Sequence, residues 1–173
     1  AISSDISEME EMIDGYLAFA AGEGDEAPQE LAVDDLLNRQ VTQAHKSHKF
    51  DITLSPVKDE IPAFPMRRNA IQRAFSNIIS NAIRYSTKTI VAIRIRNDEV
   101  IITFDDNGAG IPQERRADAI RPFIRLEESR NRRTGGAGLG LSITSDVILS
   151  HGGELTLGDS PLGGLRVAVK LPV

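Results

Sequence analysis

Asp106 and the two glycines that follow it are the residues of this sequence best placed to hold a ligand. Segment 104–112 reads FDDNGAGIP and ends a run, 100–104, in which every second residue is apolar, the pattern of a half-buried strand. Asp106 continues the apolar parity, so its carboxylate is predicted to point to the buried side. A buried carboxylate needs a hydrogen-bond donor, and a bound molecule can supply it because no Lys or Arg lies beside it in the strand. Gly108 and Gly110 let the backbone turn and approach that molecule closely.

A second interpretation of the same stretch is a strand that runs into a glycine-rich turn with a solvated Asp. Asp105, of the opposite parity, is predicted to point with Thr103 to the other side. A further glycine cluster at 135–141, GGAGLGL, favours a ligand site because it opens an apolar helix. The cluster is neither a dinucleotide fingerprint, since Leu141 stands where Gly is required, nor a P-loop, which needs Gly-Lys-Ser/Thr. Backbone N–H groups at such a helix start nevertheless suit a phosphate.

A helix predicted over residues 67–85 carries a row of polar side chains beside its apolar stripe. At about 100° per residue, Asn77, Asn81 and Arg84 lie together on its flank. Tyr85 falls between this row and the core face. Asn is a poor helix former and awkward to bury, so either solvent or a ligand must satisfy the two amides.

A basic stretch, 121–133, separates the two glycine-rich segments. It contains Arg125 and Arg130, with Phe123 near its start. A charge-rich run of this kind is usually solvated surface. Because this one is long and ends at glycines, it can instead form a lid over an anionic ligand.

The composition narrows the class of protein. The chain has 173 residues, a net charge of −5 and no Cys. Its size suits one domain with a sizeable core and a small appendage. The negative charge argues against non-specific binding to nucleic acid or to anionic membranes, and the lack of Cys excludes disulfides and thiolate metal sites. No apolar run reaches the length of a membrane span, and no secretory signal is present.

The sequence divides into three segments. Residues 1–22 place apolar side chains alternately four and three apart, an a/d seam that predicts one helix of a bundle. Residues 23–29 have the composition of a linker, and residues 30–173 form the main domain. Helices are predicted at 34–46, 67–85, 112–120 and 139–151, and strands at 31–33, 50–54, 61–64, 89–96, 100–106, 154–157 and 165–171. Asp34 or Asp35 is expected to cap the first of these helices, and Pro112 to occupy the first position of the short one.

Four segments resemble, in order and spacing, the motifs of the catalytic ATP-binding domain of two-component sensor histidine kinases, a family shared with gyrase B, Hsp90 and MutL. Asn77–Tyr85 resembles the N box, Asp106–Gly110 the first glycine box, Arg121–Phe123 the F box and Gly136–Leu141 the second glycine box. The four together, within residues 30–173, are far more specific than any single box. Residues 1–22 resemble the second helix of the family's dimerisation and phosphotransfer hairpin, most like the EnvZ group.

This resemblance implies an α+β fold, the two-layer α/β sandwich known as the Bergerat ATP-binding fold. In it a mixed, mostly antiparallel sheet carries three helices on one face. The resemblance also implies that Asp106 accepts a hydrogen bond from the adenine amino group and that Asn81 offers its side-chain oxygen to Mg²⁺. Asn77 and Arg84 would assist at the phosphates, and Tyr85 would pack near the base.

The glycine motifs and the basic stretch receive roles from the same resemblance. Gly108 and Gly110, followed by Ile111, would let the chain pass under adenine. The residues that would cradle the phosphates are Gly136, Gly138, Leu139, Gly140 and Leu141. Arg125 and Arg130 would contact the γ-phosphate, and Phe123 would line the nucleotide site.

The histidines mark a departure from a complete kinase, whose phosphoacceptor His is followed by an acid and, a few residues on, by Pro. None of His45, His48 and His151 has that context. The chain is therefore expected to bind ATP and Mg²⁺ and to donate the γ-phosphoryl group to a His on a hairpin domain absent from this chain, for relay to a response regulator. It is expected to lie in the cytoplasm without membrane contact of its own, the parent protein being anchored in the inner membrane. Residues 1–22 could pair as a homodimer.

Two alternatives belong to other functional classes. One is an anti-sigma-factor serine kinase of the same superfamily, and the other is a nucleotide-gated clamp of the Hsp90 or MutL kind. The seam of residues 1–22 favours the histidine kinase. The clamp is disfavoured because the sequence ends at Val173, directly after the last predicted strand.

Overall fold

The computed structural model describes residues 26–122, 124 and 138–173, together with positions 13 and 17. Its helices are α1 (Val33–His48), α2 (Arg68–Tyr85), α3 (Arg116–Ala119) and α4 (Gly140–Ser150), with a 3-10 turn at Gln113–Arg115. Its strands are β1 (Gln29–Leu31), β2 (Asp51–Leu54), β3 (Phe64–Met66), β4 (Lys88–Arg96), β5 (Glu99–Asp106), β6 (Glu154–Asp159) and β7 (Leu165–Pro172). The order of elements along the chain is the predicted one.

Five of the described strands form one mixed sheet in the order β2-β4-β5-β7-β6. β2 runs parallel to β4, and the other neighbours are antiparallel. The turn between β4 and β5 places Asn97 and Asp98 at φ values of 52° and 59°, the left-handed conformation that a tight hairpin requires. The hairpin register then sets Thr89 directly opposite Asp106, at the end farthest from the turn.

The core lies between this sheet and the three longer helices. Every second residue of the central strands is buried, as with Val91 and Ile93 on β4 and Val167 and Val169 on β7. The apolar stripe of α2 meets this face, and Phe75 packs against Phe104 with 5.9 Å between ring centroids. The contacts of α1, α2 and α4 with the sheet and with one another give the two layers of the predicted α+β sandwich, which is confirmed.

The predicted cap of α1 is wrong. The helix begins at Val33, so the N-cap is Ala32, which makes no side-chain capping bond. Asp34 and Asp35 lie inside the first turn, where their negative charges still complement the helix dipole. Val33, predicted to end a strand, is fully buried as the first residue of the helix.

The strand predicted at 61–64 is displaced. The structure places β3 at Phe64–Met66 and pairs it with β1 in a separate two-stranded sheet. Pro65 lies opposite Glu30 within this pair. A proline is tolerated there because an edge strand can present its missing N–H side to solvent. Ile61 instead contributes a buried side chain from a loop.

The short helix after Asp106 also begins differently from the prediction. Pro112 is the N-cap of the 3-10 turn and has extended backbone, with φ −53° and ψ 142°, so it is not the first helical residue. The α-helical part is only Arg116–Ala119.

Most of segment 1–22 lies outside the described residues. Ile13 and Leu17 have helical backbone, and their side chains are 53% and 54% exposed. None of the helices formed by the described residues is long and apolar enough to cross a membrane.

Candidate functional site

A cavity of about 480 Å³ opens between α2, the end of β5, the start of β7 and the start of α4. The floor is apolar where Phe104 and Val167 of the sheet meet Ile78 of α2. Polar groups surround this floor, and its volume falls in the range typical of small-molecule sites.

Asp106 supplies the cavity with a buried carboxylate that is only partly satisfied by the protein. The residue is 9% exposed, so the solvated alternative is rejected. Its Oδ1 accepts hydrogen bonds from the backbone N–H groups of Gly108, at 2.8 Å, and Leu165, at 2.9 Å. None of the other described residues donates a hydrogen bond to Oδ2. Asp106 therefore presents one free acceptor to the cavity that it lines.

Gly108 and Gly164 allow the chain to fold closely around this carboxylate. A Cβ at Gly108 would overlap the carbonyl oxygen of Tyr85, and a Cβ at Gly164 would overlap Asp106 Oδ1 and the Gly108 nitrogen. The Gly164 N–H in turn donates to the carbonyl oxygen of Asp106 at 3.1 Å. Gly110, at φ 70°, passes within contact distance of Gly164. The glycines are therefore required by close backbone approach as well as by turn geometry.

Asn107 ties the glycine turn to the start of β4. Its Oδ1 accepts from the backbone N–H groups of Thr87, at 3.0 Å, and Lys88, at 2.9 Å, and its own N–H donates to the carbonyl oxygen of Lys88 at 3.1 Å. The next residue, Thr89, lines the cavity and is fully buried. Its hydroxyl oxygen finds no hydrogen-bond partner among the described residues.

The two amides of α2 face the start of α4. Asn77 Nδ2 donates to the carbonyl oxygen of Gly140 at 3.3 Å. A Cβ at Gly140 would lie 3.8 Å from the Asn81 amide nitrogen and 3.9 Å from its oxygen, so Gly140 leaves room beside Asn81. Thr144 fastens the two helices together by donating to the carbonyl oxygens of Gly140, at 2.8 Å, and Ala74, at 3.3 Å.

Arg116, which does not itself line the cavity, anchors the segment that follows the glycine turn. Its Nε donates to the carbonyl oxygen of Ile111 at 2.9 Å, and its terminal nitrogen pairs with Asp159 at 2.5 Å. The segment after the glycine turn is thereby fixed to β6.

The structure brings most of the predicted site residues together. Those that line the cavity are Asn77, Asn81, Arg84, Tyr85, Asp106, Gly108, Gly110, Ile111, Gly138, Gly140 and Leu141. Leu139 is buried beside the cavity and does not line it. The predicted residues Phe123, Arg125, Arg130 and Gly136 lie outside the described residues. The roles assigned to individual residues remain predictions.

Sequence reasoning missed the contribution of β7 and of Thr89. Gly164 lies between two predicted strands, where the sequence indicates only a turn, and no local pattern links Leu165 to a carboxylate far back in the chain. Thr89 carried a weak signal, because it is a polar residue on the parity of the apolar residues Val91 and Ile93.

Asp105 points away from the cavity, as its parity predicts, but it too is buried. It forms a bidentate ion pair with Arg166 on β7, in which Nε donates to Oδ1 at 2.6 Å and a terminal nitrogen donates to Oδ2 at 2.9 Å. These hydrogen bonds, helped by the charge of Asp105 and opposed by partial burial, raise the pKa of the Arg166 guanidinium above its ordinary value. The two adjacent aspartates thus differ, because Asp105 is neutralised by Arg166 whereas no cation among the described residues pairs with Asp106.

The fold and the cavity define a class, a two-layer sandwich with a ligand site between a helix and the ends of the central strands. The family described as "Histidine kinase-, DNA gyrase B-, and HSP90-like ATPase" matches residues 66–173, and the chain belongs to this family.

Its relatives are sensor kinases. The sensor histidine kinase CpxA of Escherichia coli K12 is 46% identical over 106 residues, which cover 61% of this chain and 23% of CpxA. The sensor protein RstB of the same organism is 31% identical over 179 residues, covering 100% of this chain and 41% of RstB. The chain thus spans less than half the length of these relatives. The crystal structure of the ATP binding domain of PrrB from Mycobacterium tuberculosis superimposes with a TM-score of 0.69 at 26% identity, covering 84% of this chain and 97% of that one. These relationships do not favour the anti-sigma-factor alternative.

Proposed function

We propose that the chain binds ATP with Mg²⁺ in the cavity and donates the γ-phosphoryl group to a histidine on a separate helical hairpin. The observation that carries the proposal is the pairing of one free, buried carboxylate oxygen at one end of the cavity with two helix amides and a glycine-rich helix start at the other. The first feature suits a base with an exocyclic amino group, and the second suits phosphates.

Asp106 recognises adenine at the end of the cavity where the base binds. Its carboxylate is a pure acceptor, so the group placed against Oδ2 must be a donor. The 6-amino group of adenine is such a donor, whereas guanine presents an oxygen at that position. The apolar floor around Phe104 and Val167 supports the ring, and burial strengthens the single polar contact.

At the phosphate end, Asn81 and the start of α4 hold the charge. Backbone N–H groups at the N-terminus of α4 face a region that Gly140 keeps open beside Asn81. The described residues contain no group of three His, Cys, Asp or Glu side chains able to hold a metal by themselves. That fits Mg²⁺, which keeps waters and takes most of its ligands from substrate phosphates, so one amide oxygen from Asn81 suffices. When bound, the ion neutralises charge on the phosphates.

The phosphoryl acceptor must come from another element. His151 is engaged in structure, since Nε2 accepts from the backbone N–H of Arg67 at 3.1 Å and Nδ1 contacts the carbonyl oxygen of Val147 at 2.7 Å. His45 contacts the carbonyl oxygen of Phe50 at 3.0 Å. Phosphoryl transfer requires positioning more than a base, so this domain holds ATP while a hairpin histidine attacks in line.

The same proposal covers the organisation of the whole protein. Residues 1–22 belong to the dimerisation and phosphotransfer hairpin, residues 23–29 to a linker, and residues 30–173 to the catalytic domain. The phosphorylated hairpin passes its phosphoryl group to a response regulator. The chain works in the cytoplasm as part of a membrane-anchored sensor.

Calorimetry of Asp106→Asn tests the proposal. The Asn oxygen can keep both backbone hydrogen bonds, while its NH₂ group replaces the free acceptor and opposes the adenine amino group. We expect ATP affinity to fall by about 10- to 100-fold, since hydrogen bonds to charged groups contribute on the order of 1.5–3 kcal/mol.

The adjacent Asp105→Asn variant is the matched control. Its side chain faces the other side of the sheet, and the change weakens the pair with Arg166 without touching the cavity. It should bind ATP like the unmodified protein. Equal affinities for ATP in a folded Asp106→Asn protein would reject the adenine-binding role.

A further inference from the structure

Thr89 is a buried polar residue in the cavity that none of the roles above uses. It is 0% exposed, it lines the cavity, and its Oγ1 has no partner among the described residues. Leaving a buried hydroxyl unpaired is unfavourable, and a valine of nearly the same shape would avoid the loss. The next two residues on this face of β4, Val91 and Ile93, are apolar.

The side chain of Thr89 lies on the same face of the sheet as that of Asp106. Thr89 and Asp106 are direct cross-strand partners in the β4–β5 ladder, which places their Cβ atoms roughly 5 Å apart on one face. Asn107 fixes the chain just before Thr89 through its bonds to Thr87 and Lys88. The same turn therefore positions both polar groups.

The two groups differ in what they can bind. Asp106 Oδ2 only accepts, whereas the Thr89 hydroxyl also donates. Adenine presents a donor, the 6-amino group, flanked by two ring acceptors, N1 and N7. Guanine presents a 6-oxo acceptor instead, with a donor at N1.

We propose that Thr89 is a second adenine-reading residue, whose hydroxyl donates to a ring nitrogen next to the 6-amino group, directly or through one water. This inference rests on the proposed ATP site and deepens it. Thr89 and Asp106 together form a donor–acceptor pair that matches adenine, and Asp106, as a pure acceptor, is the member of the pair that mismatches the 6-oxo group of guanine.

The substitution Thr89→Val removes the hydroxyl and keeps the shape. We expect the dissociation constant for ATP to rise by about 3- to 10-fold, as for the loss of one hydrogen bond. In the nucleotide-free protein the melting temperature should rise by roughly 2–4 °C, because an unsatisfied buried hydroxyl has been removed. Opposite signs for affinity and stability distinguish a ligand contact from a structural role, which would lower both.

Deaza analogues identify the contact. The unmodified protein should bind either 1-deaza-ATP or 7-deaza-ATP less tightly than ATP, and Thr89→Val should show no further loss for that analogue. Thr103→Val, on the neighbouring strand with its side chain on the opposite face, is the control and should bind ATP normally. The role of Thr89, but not the ATP site itself, would be overturned if Thr89→Val bound ATP as tightly as the unmodified protein. It would also be overturned if the substitution weakened the binding of ATP and of both analogues by the same factor. Failure of the unmodified protein to bind ATP would overturn the proposed function itself.

Discussion

Asp106 divides its carboxylate between the fold and the cavity. One oxygen organises the turn by accepting from Gly108 and Leu165, and the other faces the cavity. The turn and the binding site are thus built around one side chain. Residues that pack against the first oxygen should therefore affect nucleotide binding although they do not contact nucleotide.

Gly164→Ala tests this dependence. The added methyl would overlap Asp106 Oδ1 and force the carboxylate or the hairpin tip to move. We expect a loss of about 1–3 kcal/mol in the free energy of unfolding, as for an overpacked core, together with a large loss of ATP affinity. Thermal melts and calorimetry measure the two effects.

Gly158→Ala is the matched change on β6. A Cβ there meets nothing within 4 Å, so stability and ATP binding should stay close to those of the unmodified protein. If Gly164→Ala behaved in the same way, Asp106 would not depend on the close approach of Gly164.

Asn81→Ala tests the phosphate end. Removing the amide oxygen should weaken ATP binding about tenfold in the presence of Mg²⁺, because one ligand of the ion is lost. In EDTA the variant and the unmodified protein should bind ATP with similar affinity. Calorimetric titrations with and without Mg²⁺ measure this difference, and an equal loss in both conditions would contradict a metal-ligand role.

At the scale of elements, α2 depends on a cap from a distant part of the chain. Its N-cap residue, Arg67, makes no side-chain capping bond, and its first turn contains no acid. Glu26 supplies the acceptors instead, taking hydrogen bonds from the backbone N–H groups of Asn69 at 2.8 Å and Ala70 at 3.2 Å. These are positions that a capping side chain normally satisfies, and the negative charge also suits the helix N-terminus.

Glu26→Gln should therefore destabilise the domain. We expect a loss of about 0.5–2 kcal/mol in the free energy of unfolding, the range found for lost helix caps. Urea denaturation measures it, with Glu30→Gln as a control at an exposed strand position whose side chain makes no hydrogen bond or ion pair with the other described residues. A loss of similar size in the control would point to net charge as the cause.

Sequence patterns predicted what depends on local periodicity. The period of two assigned Asp105 and Asp106 to opposite faces, and helical spacing placed Asn77 and Asn81 together. The parts that were missed depend on contacts between distant segments, such as the Leu165 N–H at Asp106 and the Glu26 cap. The boundaries of β1 and β3 were shifted because pairing between these two short strands, rather than local propensity, sets their ends.

At the scale of the whole molecule, the domain is expected to be an incomplete kinase. Incubation with γ-labelled ATP should give no acid-labile phosphohistidine on this chain, because His45 and His151 are engaged in backbone contacts and no His has the acceptor context. A separate hairpin that carries the acceptor motif should become labelled when added, at a rate that depends on docking. Phosphohistidine at His45, His48 or His151 without the hairpin would place the acceptor within the domain.

The cap at Glu26 also has a mechanical consequence. Glu26 is hydrogen-bonded to the first turn of α2, so a force or torque applied at residue 26 acts directly on the end of this helix. That helix carries Asn77 about 11–12 Å beyond the two amides that Glu26 binds, at 1.5 Å per residue. We therefore expect strain delivered to residue 26 to reach the part of the cavity lined by Asn77 without first deforming the sheet.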